Sequence, residues 1–448
     1  MPARLSDVTL LIDWRSPGAF PPQARSPGKG GYSLKEVFQH FVRNRYSDSD
    51  ARFLEKLRRQ YDDLPRGAVL SYQTVTADEI KSYSQAWNPD DPLYNREEYG
   101  AHSFWNSMIA FPFFSLHQPL YPRFPHEFGD KHYFGNCGGE AEYFQPIRPG
   151  DTISTLKAEQ SLEDMTSEER PEVRVFSLSG ACLQYNQNGD LVCRYHTSGQ
   201  NAFMRYADGF QERRGCSYYD INAEWAAAAP PTHVTTPDEW ERIMALWEAE
   251  ELRGGSTRYW EDVQVGDQLP PVCTGPVTEL DMFRLHGSDI LRRGGPKKFR
   301  EHSIHMQDPY GMWQPTFYPC FAGHPDLGVR PCFYTWTARN FAIRAVTNYM
   351  SDMGEIRKIH WQSQQLYPAL WIPDAGKSIL DLLPQTRGRI CQRVGQVGDT
   401  CICLGTVIGK DIAGAEHQVR LIVWVETLDH VILQALDVTL CLPSRNHL

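Results

Sequence analysis

The chain repeats itself, and that repeat limits its folding more than any other feature. Residues 72–87, YQTVTADEIKSYSQAW, and residues 274–289, TGPVTELDMFRLHGSD, align without gaps on Val75-Thr76 and Val277-Thr278. Each copy reads as the end of a strand followed by the start of a helix. Thr76 and Glu79 have the spacing of a capping box, in which a hydroxyl and an acid three residues later each satisfy an N–H at a helix start. Thr278 and Asp281 repeat the device with a shorter acid. Apolar residues then recur at helical spacing, Ile80 and Tyr83 in one copy, Met282 and Leu285 in the other. A duplicated start of this kind predicts two related structural units in one chain.

The order downstream follows the same plan. After each start comes a polar stretch and then an apolar helix candidate, IAFPFFSLHQPLY (109–121) in the first half and YTWTARNFAIRAVTNYMSDMG (334–354) in the second, the latter closed by Gly354. Strands follow in both halves, with alternation at Arg174–Leu178 and a hairpin turn at Asn188-Gly189. Strands wrapped around one apolar helix bury both elements at once. The expected organisation is an N-terminal arm and amphipathic helix (1–65), a first unit (66–205), a linker with its own helix (206–257) and a second unit (258–448). A chain of 448 residues has room for this.

Bulk composition excludes several classes. Hydrophobic residues at 41% and charged residues at 22% describe a globular protein rather than a disordered one. A net charge of -10 argues against a general nucleic-acid-binding surface. One basic cluster stands out (Arg292, Arg293, Lys297, Lys298, Arg300); it either meets phosphates or faces water. The 11 cysteines contain no CxxC pair, and Cys401 and Cys403 have no partners at metal-ligand spacing, so no metal is expected. Unpaired thiols without a readable secretory signal point to a cytoplasmic setting. The terminal Asn-His-Leu matches only the last two positions of a peroxisomal tail. No apolar run reaches the ~18 residues of a membrane span.

Several stretches resemble one family. WNPDDPLYNREEYG resembles the signature loop of MaoC-like, R-specific enoyl-CoA hydratases and dehydratases. YFQPIRPGDTI is similar to the strand and turn after the central helix of their hot-dog domains. RYWEDVQVGDQLPPVCTGPVT is similar to the opening of the second domain in double-domain members, and the stretch from Gly323 to Gly354 to the approach and central helix of that domain. The resemblance covers roughly residues 66–205 and 258–443. It implies an α+β fold, a double hot-dog of two antiparallel sheets, each wrapped around a long central helix.

The resemblance also implies a chemistry. An Asp and a His five residues apart on the loop hold one water; the neutral imidazole takes its proton while the carboxylate orients it. A backbone N–H at the start of the buried helix polarises the thioester carbonyl. Here the first loop departs from the pattern, with Tyr94 at the His position and Pro89 at the Asp position, so Tyr94 and Asp91 are expected to line a substrate channel rather than to react. In the second half His305 falls at the His position, but Arg300 stands five residues before it. Asp289, on the far side of an insertion, is the expected acid. His302 is a further catalytic candidate; His324 is a rival base, and Glu301 and Asp326 are rival acids. Asp326, Gly328 and Arg330 precede the second helix, where the resemblance puts the thioester.

The expected activity is a lyase of the hydratase or dehydratase type, acting on an acyl thioester, carried by coenzyme A or another group, without cofactor. A homodimer is the expected assembly, with neither nucleic acid nor membrane as partner. Two alternatives use the same frame: another proton-transfer reaction in a specialised pathway, or a non-catalytic protein whose grooves hold a ligand or a partner.

Overall fold

The computed structural model of the chain describes residues 65–114, 132–136, 138–164, 173–206, 233–278, 281, 304–307, 313–316, 335–362, 379–384, 389–390 and 395–446. In chain order these form strand β1 (Val69–Thr74), helices α1 (Ala77–Trp87), α2 (Pro92–Asn95) and α3 (Glu97–His102), and strands β2 (His132–Asn136), β3 (Gly138–Tyr143), β4 (Thr152–Asp164), β5 (Val173–Tyr185) and β6 (Leu191–Tyr206). Helix α4 (Pro237–Glu248) leads to strands β7 (Val272–Thr274), β8 (Ile304–Gln307) and β9 (Trp313–Thr316), and then to helix α5 (Thr335–Met350). The last strands are β10 (Glu355–Gln362), β11 (Arg389–Ile390), β12 (Cys401–Ala413), β13 (Glu416–Thr427) and β14 (Val431–Cys441).

Twelve of these strands form one sheet, whose main path runs β1-β4-β5-β6-β3-β10-β14-β13-β12-β7. The path is a palindrome. β1, β4, β5, β6 and β3 stand in the same relation to one another as β7, β12, β13, β14 and β10. The duplication seen in the two helix starts therefore extends through five strands of each half. The two sheets expected from the resemblance are fused: β3 pairs antiparallel with β10, Ile359 opposite Ala141. This pairing leaves neither half with an open strand edge at the join. β2 extends β6, β11 lies parallel to β14, and β8 and β9 form a separate two-stranded sheet.

Local chemistry fixes both halves in the same way. Gly150 and Gly398 adopt positive φ (89° and 96°), a conformation glycine reaches without strain. The Gly150 N–H donates to Val75 O at 2.8 Å, and the Gly398 N–H to Val277 O at 2.7 Å. In return the Val75 and Val277 N–H groups donate to Asp151 O and Asp399 O. Both aspartates also accept a backbone N–H three residues back at 2.7 Å, from Arg148 and Gln396. The capping box of Thr76 and Glu79 closes α1, and Thr278 and Asp281 make the equivalent bonds, 2.9 and 3.1 Å.

Helix α5 lies across β12, β13 and β14, burying Ala338, Phe341, Ala342, Val346 and Met350. β13 is apolar on both faces from Leu421 to Val425. Leu421, Val423 and Val425 join the large core shared with α5, whereas Ile422 and Trp424 pack under Ile379. The helix is shorter than the sequence suggests. It ends at Met350, and Ser351 (φ 69°), not Gly354, takes the left-handed position after it. Gly354 has a packing role, since a Cβ there would lie 2.8 Å from the Cβ of Met350.

The helix candidate of the first half needs correction. Residues 109–113 are not helical: Pro112 removes a donor from any helical ladder, and Phe113 has φ 68°. Residues 115–121 lie outside the described residues. The expected linker helix is α4, with Thr236 and Glu239 as its capping box, and it seats Ile243 against Cys273, Ile402 and Leu428. Among the described residues no helix is long and apolar enough to cross a membrane.

The join depends on one glycine. Gly139 of β3 stands opposite Trp361 of β10, whose ring stacks on Tyr195 of β6 at 5.7 Å. A Cβ at Gly139 would fall 2.7 Å from that ring and 2.9 Å from His196 O. Gly139→Ala is expected to cost about 1–3 kcal/mol. Gly409→Ala, whose Cβ would meet nothing closer than 3.7 Å, should stay within ~0.5 kcal/mol. Denaturant midpoints of the two variants provide the comparison.

Candidate functional site

The loop after α1 is built to be rigid and buried. Asp91 caps α2, its carboxylate accepting the Leu93 N–H at 3.0 Å, with Pro92 at the first helical position. Asn95 ties the loop to itself, its amide donating to Asn88 O (2.8 Å) and Asp91 O (2.7 Å). Asn88, Asp91, Leu93 and Tyr94 are all 3% exposed or less. A glycine-serine turn could close the loop but could not make these bonds.

This loop from the first half docks on α5, the long helix of the second. The Asn88 amide donates to Thr347 Oγ1 (3.2 Å) and Asn348 Oδ1 (2.9 Å) of α5. The Asn340 amide donates to the Tyr83 hydroxyl at 3.2 Å. Arg344 pairs with Glu250 at 2.6 Å and reaches Asp90 at 3.7 Å, and the Asn348 amide also donates to Glu250. Just past the helix, Asp352 accepts the Tyr99 hydroxyl at 2.6 Å, and its carbonyl accepts the Trp105 indole N–H at 2.7 Å. The guanidinium of Arg339 lies 3.7 Å from the centre of the Phe113 ring and 4.9 Å from that of Trp361.

A cavity of about 80 Å³ opens beside this contact, lined by Tyr94, Phe111, Phe113, Tyr143, Ile147 and Met350 among others. Asp91, the loop's buried acid, is pushed up to about 7, by burial above all, with Asp352 adding and the Leu93 N–H opposing. Burial also raises Asp352 and lifts Tyr94 well above the usual phenol value. Tyr94 is therefore a neutral phenol throughout the physiological range.

Of the residues singled out in the sequence, Tyr94 and Asp91 stand together in this loop. His305 lies on β8, opposite Pro315 of β9, on a strand rather than on the loop that the resemblance implies. Asp289, His302, Asp326, Gly328, Arg330 and the basic cluster lie outside the described residues. Among the described residues no group of His, Cys, Asp and Glu is placed to hold a metal ion.

The sequence reading missed the residues that receive the loop. Asn340, Arg344, Thr347 and Asn348 form a polar stripe at i, i+4, i+7 and i+8 on a helix that also carries Phe341, Ala342 and Val346. That spacing was a usable signal, since a buried helix seldom carries four polar residues on one face without partners for them.

No family model matches the chain, and no curated protein matches it. Among solved structures it is similar to a MaoC-like dehydratase at 11% identity, covering 86% of this chain and 99% of that one with a TM-score of 0.46. It is also similar to a Mycobacterium tuberculosis protein described as having a double hotdog fold, at 11% identity, 85% and 97% coverage and a TM-score of 0.43. A third is a MaoC-like dehydratase from Phytophthora capsici, at 11% identity, 84% and 94% coverage and a TM-score of 0.40.

The raised pKa of Asp91 gives the loop a pH signature. An acid whose folded pKa lies above its unfolded value holds its proton more firmly when folded. The stabilisation is full below the unfolded value, near 3.8, and is lost as pH rises through about 7. Asp91→Asn keeps an acceptor for the Leu93 N–H and removes the titration. Between pH 5 and 8 the native chain should lose roughly 2–3 kcal/mol more unfolding free energy than the variant. Urea unfolding at the two pH values measures this, and parallel pH curves would count against the shift.

Proposed function

We propose that the chain is a hydratase or dehydratase that adds or removes water across the C2–C3 bond of an acyl thioester or a related β-hydroxy carbonyl compound. The observation that carries this reading is the palindromic sheet with its matched helix starts. By that symmetry the segment after Thr278 is the counterpart of the loop that holds Tyr94. In the first half the position corresponding to the family's imidazole carries a phenol, and the nearby Asp91 is engaged as a helix cap. On this reading the position corresponding to it in the second half carries an imidazole, His305, which lies on β8.

On this reading residues 66–205 form a non-catalytic unit that lines the substrate channel, and residues 258–448 form the catalytic one. Each is a hot-dog domain, and α5 is the central helix of the second. His305, neutral, takes a proton from water, Asp289 orients that water, and His302 stands beside them as a second imidazole. The oxygen of the thioester carbonyl gains charge as the nucleophile adds. A backbone N–H near Gly328, at the approach to α5, would stabilise it, with Asp326 and Arg330 flanking. The basic cluster at 292–300 suits the phosphates of coenzyme A. Two such units fused in one chain form internally a pair that separate domains would make by dimerising; a homodimer of whole chains is proposed as the assembly.

The test is hydration of short and long 2-enoyl-CoA substrates. His305→Ala should lower kcat/KM by about 10²–10⁴-fold, the usual contribution of a general base. Asp289→Asn should lower kcat with little change in KM, as expected for a group that orients the nucleophile. Full activity in both variants would remove the site assignment. Turnover of none of the thioesters would remove the reaction.

A further inference from the structure

Helix α4 is apolar on two sides, and only one of them faces the core. Ile243 and Leu246 pack on Cys273, Ile402 and Leu428. On the outer side Trp240, Met244 and Trp247 stand at i, i+4 and i+7, one stripe of helix surface, and are 40, 47 and 43% exposed. The two indoles meet edge to face, with ring centres 6.2 Å apart. Single exposed apolar side chains are ordinary on a protein surface, whereas a contiguous row of large ones marks a contact site. Tryptophan and methionine are also residue types in which interface centres are enriched. Neither the docked loop nor the proposed reaction uses this row.

The charges beside the stripe select its partner. Glu241 and Glu248 each follow a tryptophan by one residue, so both lie along the same border, about 100° round the helix, and both are exposed. Asp238, also exposed, adds a third acid at the N-terminal end. These three hold no ion pair among the described residues, unlike Glu239, taken by His233 at 2.8 Å, and Glu250, taken by Arg344 at 2.6 Å. The one cation of α4, Arg242, stands two residues from Trp240 and so does not share its face. A second copy of α4 packed antiparallel would bring the two acidic borders together, a like-charge contact. An anionic lipid surface meets the same repulsion, and helices that lie on membranes carry Lys and Arg on the polar face instead. A segment with its own apolar stripe flanked by Lys or Arg suits both features at once, covering the indoles and pairing the free carboxylates.

We infer that the outer face of α4 is a docking surface for a basic amphipathic helix of another protein, with Trp240, Met244 and Trp247 against its apolar stripe and Glu241 and Glu248 paired to its cations. This surface shares no residue with the proposed hydratase site, and no turnover enters the test.

Fluorescence anisotropy with the full chain measures binding of two labelled peptides, one of leucine and lysine at helical spacing and its analogue with glutamate for every lysine. The lysine peptide is expected to bind saturably, at least about tenfold more tightly than the glutamate peptide, and more weakly as salt rises, since exposed charges are screened. Trp240→Ala and Trp247→Ala should each weaken it at least about tenfold, as loss of a central aromatic contact does. Glu241→Lys combined with Glu248→Lys should reverse the preference. Glu98→Lys, at an exposed acid of α3, should leave binding within about twofold, which separates this face from the general net charge of -10. All five side chains are exposed, and coincident thermal melts establish that the variants are folded. The proposal is overturned if the glutamate peptide binds as tightly, if both tryptophan variants bind like the native chain, or if Glu98→Lys weakens binding as much as they do. Self-association in sedimentation velocity that Trp240→Ala abolishes would make a second copy the occupant. Binding to phosphatidylcholine vesicles that the same variant abolishes would make it a membrane, and either result overturns the proposal as well.

Discussion

Helix α5 must be buried on two chemically different sides, and most of the described architecture follows from how that is done. Its apolar side, with Phe341, Ala342 and Val346, lies on the β12–β14 part of the sheet. Its polar stripe would be costly in that core, because a buried amide or guanidinium without partners loses its hydration for nothing in return. The first half supplies the partners: Asn88 for Thr347 and Asn348, and Tyr83 for Asn340. Glu250, just after α4, completes the set by binding Arg344 and Asn348. The two halves are therefore held together by more than a shared strand edge. Each contains groups that the other needs.

That dependence explains how the first loop departs from the pattern it resembles. A loop that performs proton transfer needs an acid and a base exposed to substrate. A loop that bolts one half to the other needs short amides, a helix cap and a shape that does not change. Asn88 and Asp91 meet the second requirement. Tyr94 keeps a large ring in the core and a hydroxyl beside a cavity, compatible with ligand contact and poorly suited to act as a base near neutral pH. The positive φ of 68° at Phe113 and the non-helical run before it belong to the same arrangement, since they bring Phe111 and Phe113 against Tyr94, Tyr143 and Trp361.

Much of the local structure was legible in the residues. The capping boxes at Thr76 and Thr278 form with the expected partners, and so does the hairpin around Asn188-Gly189, where Gly189 takes φ 85°. Val75 and Val277, aligned in the two copies, make equivalent backbone bonds. A second signature of the duplication is Gly150-Asp151-Thr152 against Gly398-Asp399-Thr400. Gly354 offers the familiar left-handed stop, yet α5 ends at Met350 and Ser351 takes the left-handed position. Ser351 takes the position because its N-terminal neighbours are already seated in the core and the chain must leave toward β10. The apolar run at 109–113 is not helical, and apolar residues without clear alternation fit a helix as well as a buried extended segment. Pro112 was the better guide.

The sequence alone determined that the chain carries two matched helix starts, and which positions carry an imidazole, a phenol or a carboxylate. Those are properties of residue type and spacing, and they hold whatever the fold does. The tertiary structure alone decided that the units join through β3 and β10 into a single mirrored sheet, and that the loop of the first half rests on the helix of the second. It also decided that two phenols share one cavity. Such facts depend on contacts between residues some 250 positions apart, such as Asn88 with Asn348, and no local periodicity encodes which distant partner will satisfy a buried amide.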